Sequence, residues 1–135
     1  GFGYEKIKKQ IENSTFQKEI IEKGFVEEDE KWRLLSSADA VIYPSFSEGF
    51  GLPILEAQKA GVPIVASNIP SSREVAGGKD FLFPPEDAEK MAAWVVKVIK
   101  NKIFREKVIA AGRKNVEKYS WEKCAQKTAE IMNLF

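Results

Sequence analysis

The densest set of groups able to do chemistry lies in Tyr43-Pro44-Ser45-Phe46-Ser47-Glu48-Gly49-Phe50-Gly51-Leu52-Pro53-Ile54-Leu55-Glu56. Two carboxylates, Glu48 and Glu56, bracket its centre with seven residues between them. An ionised carboxylate accepts several hydrogen bonds, so each can hold neighbouring hydroxyls of a ribose or a hexose. Between them Gly49 and Gly51 flank Phe50, which lets backbone approach a ligand closely. The apolar residues from Leu52 onward, with Pro53 in a first turn, start a helix. The free amides and positive dipole end of a helix start suit a phosphate. Amides for a diphosphate, flanked by carboxylates for hydroxyls, describe a pocket for a nucleotide sugar. Taken singly, each feature has a plain structural explanation: Glu56 as an early acid on a helix, Gly51 as a cap. The ordered set, with a strand before it and a helix after it, points to the ligand.

The remaining composition narrows the chemistry. The chain has no His, which removes Ser-His and Cys-His dyads, histidine zinc sites and histidine acid–base catalysis from within it. Its one cysteine, Cys124, can form neither an internal disulfide nor a Cys-based zinc cluster, and points to a reducing, cytoplasmic compartment. No metal-ligand spacing occurs, so no metal and no cofactor are expected. Basic residues number 21 and acidic residues 20, which leaves no overall charge to hold nucleic acid. Residues 1–85 are net −3 (10 basic, 13 acidic) and residues 86–135 net +4 (11 basic, 7 acidic). That asymmetry reads either as a solvated helix surface or as attraction to an anionic membrane face or an acidic partner. No apolar run approaches the ~18 residues of a membrane helix. Gly1-Phe2-Gly3-Tyr4 lacks the basic-then-apolar order of a signal peptide. A length of 135 residues predicts one domain.

Positioning the loop requires alternating strands and helices. Tyr4 to Ser14 reads as an amphipathic helix, residues 19–23 as a short strand, and Glu27 to Ser36 as a helix with acids in its first turn. Ala38 to Tyr43 is an apolar strand, Leu52 to Ala60 a helix closed by Gly61, and Val62 to Ser67 a buried strand. Pro70 to Val75 starts a short helix and Phe81-Leu82-Phe83 is a last strand. Helices follow from Glu86, with faces Met91, Trp94, Val95, Val98 and then Phe104, Val108, Ala111. Ser120 caps a final helix striped by Trp121, Cys124, Ala125, Thr128, Ile131, Met132 and Phe135. Short strands apolar on both faces predict an α/β fold: a parallel sheet with helices on both faces and a helical C-terminal segment. Ligands in such folds bind at the carboxyl ends of the strands, which directs attention to residues 24–27, 44–51 and 67–73.

With these residues in view, the chain resembles the C-terminal, donor-binding domain of a GT-B retaining glycosyltransferase of the glycosyl transferases group 1 kind (family four). The resemblance runs from about Gly24 to Tyr119 and implies a partial Rossmann-like, doubly wound parallel sheet. It is carried by Glu48…Glu56, by Ser47-Glu48-Gly49-Phe50-Gly51-Leu52-Pro53, by Glu56-Ala57 with Gly61-Val62-Pro63-Ile64-Val65-Ala66-Ser67, and by Gly24-Phe25-Val26, Ser37-Ala38-Asp39 and Pro84-Pro85-Glu86-Asp87. The resemblance implies that Glu56 binds the ribose hydroxyls and that Glu48 contacts the transferred sugar as the catalytic carboxylate. It implies that the amides of Gly49, Phe50, Gly51 and Leu52 receive sugar hydroxyls and diphosphate, and that backbone near Phe25, Val26 and Pro44 lines the base. Glu74 falls where the family often has an acid and is also explained as a helix-start residue; Asp39 reads as structural. The implied reaction is metal-independent and retains configuration, with the nucleoside diphosphate sugar as donor substrate.

The departures shape the expectation. Such enzymes have two Rossmann-like domains, and no segment here resembles the acceptor-binding N-terminal one. The family's opening strand–helix–strand, whose first loop brings an Arg and a Lys to the diphosphate, has no counterpart; Gly1-Phe2-Gly3 looks like its end. Arg73 and Lys79 stand elsewhere, Lys79 as an exposed loop residue. The acceptor domain would come from another segment or another chain. A stand-alone nucleotide-sugar-binding subunit and an interaction remnant are the rival readings. The strands present correspond to the third to sixth of the order 3-2-1-4-5-6, so Val41-Ile42-Tyr43 should present an unpaired edge. Closure by residues 19–23, by a second copy in a homo-oligomer, or by a missing segment would relieve it. The final helix resembles the family's closing helix, which crosses to the N-terminal domain; packing on this chain's own domain is the alternative.

Overall fold

The computed structural model describes residues 3–78 and 81–132. In chain order it contains α1 (Tyr4–Glu12), a 3-10 turn (Gln17–Glu19), α2 (Glu28–Ser37), β1 (Val41–Tyr43), α3 (Leu52–Ala60), β2 (Ile64–Ser67) and α4 (Pro70–Val75). Then follow β3 (Leu82–Phe83), α5 (Ala88–Lys100), α6 (Lys102–Val116) and α7 (Trp121–Met132). The three strands are parallel in the order β1-β2-β3, with Val41 opposite Ile64 and Ala66 opposite Leu82.

The alternation of side chains along β2 splits the core in two. Ile64 and Ala66 face Ile54, Ala57, Val75 and Val108, contributed by α3, α4 and α6. Val65 faces the other way, toward Phe83, Val98 and Trp94, and so toward α5. All four residues of β2 are buried, as a central strand covered on both faces must be. The expected helices on both faces of a parallel sheet are therefore present. Pro53 sits in the first turn of α3 and Gly61 ends it, so this helix has the boundaries its sequence predicts. Among the described residues no helix is long and apolar enough to cross a membrane.

Four expectations are corrected or fall outside view. Residues 19–23 form no strand: the 3-10 turn ends at Glu19, Ile20 is extended, and no regular secondary structure follows before residue 28. A strand needs a neighbour, and β1 pairs only with β2 among the described residues. The segment is tied instead by side chains, Tyr4 Oη donating to Glu22 Oε1 at 2.6 Å and Lys23 Nζ to Glu30 Oε1 at 2.9 Å. The outer edge of β1 stays open, with Ile42 44 % exposed. The inward face of α6 is Phe104, Val108, Gly112 and Asn115, while Ala111 is exposed. Gly112 lies against Gln58 of α3, where a larger residue would push the helices apart. The final helix does not pack on its own domain: no residue of α7 is buried and Trp121 is 75 % exposed. Lys79, Phe135 and the Gly1-Phe2 part of the opening segment lie outside the described residues.

A polar bridge joins the layers. Asn115 Nδ2 donates to Gln58 Oε1 at 2.9 Å and to the Val75 carbonyl at 2.7 Å, and Gln58 Nε2 donates to the Ala76 carbonyl at 2.8 Å. Both side chains are buried, so the bridge ties α3, the end of α4 and α6 with its donors satisfied.

Candidate functional site

The site loop leaves the carboxyl end of β1 and enters α3. Pro44 is exposed and turns the chain away from the sheet, and Ser45 Oγ then donates to Glu48 Oε1 at 2.7 Å. Hydrogen bonds from Ser45 and then from Tyr43 hold the Glu48 carboxyl below its usual range. Burial, and next the bond to Glu48, push the Tyr43 hydroxyl above its own. Glu48 is therefore an ionised carboxylate held by the Ser45 hydroxyl and open to solvent.

Gly51 is the N-cap of α3 and enters it with φ of 101°, in the left-handed region that L side chains rarely adopt. A Cβ there would lie 3.4 Å from Ile54 Cδ1 and 3.9 Å from Tyr43 Cε1. The first intrahelical bond is Ile54 N–H to the Gly51 carbonyl, 3.0 Å. The amides of Gly49, Phe50, Gly51 and Leu52 before it donate to no acceptor among the described residues. Four successive free N–H groups thus stand at the positive end of a helix dipole. The Phe50 ring meets Tyr119 edge-on, with centroids 6.0 Å apart, and Tyr119 Oη donates to the Glu74 carbonyl at 3.3 Å. This contact ties the loop to α4 and to the segment after α6.

Glu56, one turn into α3, is half-buried, and its Oε1 accepts from Lys31 Nζ at 2.9 Å. The same ammonium reaches Glu28 Oε2 at 2.8 Å. Glu28 first and Glu56 second raise the Lys31 pKa above its ordinary value, so the ammonium stays charged. Trp32 Nε1 donates to the other oxygen of Glu28 at 2.8 Å.

The structure thus brings Glu48, the four amides and Glu56 onto one loop–helix junction. It leaves the residues expected at the base more loosely placed. Phe25 is 88 % exposed and Val26 half-buried, on the segment that leads into α2, with no hydrogen bond or ring contact to the loop. Leu52 is 46 % exposed. Arg73 does not face the amides: its guanidinium donates to the carbonyl and Oδ1 of Asn68 at 3.2 and 3.3 Å. Asp39 has a structural part, its carbonyl accepting from Arg105. Sequence reasoning did not single out Lys31 or Tyr119. The available signal for Lys31 was its place one turn after Glu28 in an acid-rich helix start.

Residues 1–115 match the sequence profile of the family described as glycosyl transferases group 1. The chain is 36 % identical over 124 residues to O-antigen chain mannosyltransferase B of Escherichia coli, an alignment covering 92 % of this chain and 32 % of that protein. Its structure is similar to that of sucrose-phosphate synthase from Thermosynechococcus elongatus, with TM-score 0.86, 21 % identity, and coverage of 96 % of this chain and 33 % of that one. It is also similar to a variant of TarM from S. aureus solved in complex with fondaparinux, alpha-GlcNAc-glycerol and UDP. There the TM-score is 0.82 and the identity 25 %, over 96 % of this chain and 27 % of that one. The chain spans about a third of the length of the proteins it matches. Since the profile takes in most of its residues, and the parallel sheet and the loop after β1 are in place, the chain belongs to the glycosyl transferases group 1 family.

Proposed function

We propose that this chain is the donor-binding part of a retaining glycosyltransferase and that it holds a nucleoside diphosphate sugar at the junction of β1 and α3. The observation that carries this reading is the run of four unpaired amides, Gly49 to Leu52, set between Glu48 and Glu56. The amides receive the diphosphate, where they offset the charge that grows on the leaving group as the bond to the sugar breaks. Glu48, ionised and held by Ser45, accepts from hydroxyls of the transferred sugar. Glu56 accepts from the ribose. The base lies toward Phe25, Val26 and Pro44. Similarity to an O-antigen mannosyltransferase supports a hexose as the sugar and a polysaccharide or glycolipid as the acceptor. The acceptor hydroxyl is presented by a facing domain in another segment or another chain.

The test is calorimetric titration with UDP, GDP, ADP and their sugars. Removing a hydrogen bond to a charged group costs about 1.5–3 kcal/mol, so Glu56→Ala is expected to weaken nucleotide binding about tenfold or more. An unchanged affinity would remove the ribose role.

Binding is further proposed to need no metal. The chain has no His, and among the described residues no three acidic or Cys side chains come together as ligands. Affinity measured in EDTA should equal that measured with magnesium or manganese. A large gain with metal, over and above what the free nucleotide's own metal complex explains, would contradict this.

A further inference from the structure

The residue that reaches Glu56 comes from a different helix, 25 positions earlier in the chain. Lys31 Nζ bridges Glu56 Oε1 on α3 and Glu28 Oε2 on α2, at 2.9 and 2.8 Å, and Trp32 Nε1 anchors Glu28 from the other side at 2.8 Å. The result is a chain of contacts, Trp32–Glu28–Lys31–Glu56, that runs from the body of α2 to the carboxylate. Lys59 of α3 lies over the Trp32 ring at 5.8 Å. We propose that Lys31 is a positioning residue for the donor site: it sets the direction of the Glu56 carboxylate so that its unused lone pairs meet the ribose diol of a nucleoside diphosphate. This rests on the reading of Glu56 as the ribose ligand.

The stoichiometry of acceptors allows it. A carboxylate offers about four lone-pair sites, and one ammonium hydrogen bond at Oε1 leaves both sites of Oε2 and one of Oε1. Two ribose hydroxyls can donate to these without displacing Lys31. A free glutamate on a helix surface samples several rotamers and would have to be ordered on binding. Here the ordering is already in place, because Glu28 and Lys31 are one helical turn apart on α2 and act together. An ion pair that merely ties α2 to α3 would affect fold stability but could not distinguish nucleotides by their ribose hydroxyls.

That difference defines the experiment. The 135-residue chain, Lys31→Met, Lys31→Arg and Glu56→Ala are titrated with UDP, GDP and ADP and with the 2′,3′-dideoxy counterpart of whichever binds. Lys31→Met is expected to weaken the ribonucleotide by about fivefold, within the range of couplings inside one ion-pair network, and to leave the dideoxy nucleotide within about twofold. Lys31→Arg should restore most of the loss. Equal losses on both nucleotides, or a ribonucleotide affinity unchanged in Lys31→Met, would overturn the proposal. Glu56→Ala separates the two levels. If it weakens binding while Lys31→Met does not, only the role of Lys31 fails; if Glu56→Ala has no effect, or no nucleotide binds the chain, the ribose reading fails first.

Discussion

Incubated alone with a nucleotide sugar and a panel of hydroxyl acceptors, the 135-residue chain is expected to form no glycoside. Retaining transfer needs the acceptor oxygen held against the anomeric carbon on the face from which the diphosphate departs. Such positioning contributes roughly 7–11 kcal/mol of barrier lowering, a factor of about 10⁵–10⁸ in rate. On the proposed reading these residues hold the donor, and the acceptor hydroxyl is presented by a facing domain in another segment or another chain. Two nearby cations are engaged elsewhere: Lys31 with Glu28 and Glu56, and Arg73 with Asn68. Donor binding without transfer is the expected pair of results, read by calorimetry and by incorporation of labelled sugar into the acceptor. Slow hydrolysis of the donor would be a separate activity with water as acceptor. Robust glycoside formation by the purified chain would show that an acceptor site exists within these residues.

The largest effect on stability is expected at Gly77, away from the site loop. Its φ is 72°, and a Cβ built there falls inside contact distance of the Asn115 side chain. Asn115 cannot simply move aside, because its amide nitrogen bonds Gln58 and the Val75 carbonyl in the buried bridge between α3, α4 and α6. Gly77→Ala therefore combines left-handed backbone strain of about 1–2 kcal/mol with a disturbed buried polar network at about 1–3 kcal/mol. A loss of about 3 kcal/mol lowers the midpoint of thermal unfolding of a domain this size by about 10 °C. Gly49→Ala is the control, since a Cβ there meets open space and its φ is not in the left-handed range; its melting temperature should match the parent. The double variant Gly77→Ala/Asn115→Ala should cost less than the two single changes summed, because the second removes the obstacle met by the first. Additive losses would show that the Cβ and the Asn115 side chain do not meet.

Much of the candidate site's geometry could be read from residue order because its signals are local. Pro53 and Gly61 mark both ends of α3, the apolar run 62–67 has the character of a strand buried on two faces, and Gly51 stands where the loop must turn left-handed into the helix. Each of these depends on neighbours a few positions away, so the bracket of Glu48, four amides and Glu56 follows from the chain's own order. What needed the folded molecule was every pairing between distant segments. Lys31 meets Glu56 across 25 residues and Asn115 meets Gln58 across 57, and no local pattern marks either partner. Phe50 finds Tyr119 in the same way. The failed strand at 19–23 and the uncovered α7 show the converse. A strand exists only with a neighbour to take its hydrogen bonds, and an apolar stripe is core only where another surface covers it. Periodicity states what a segment can offer; the tertiary structure decides whether anything is there to receive it.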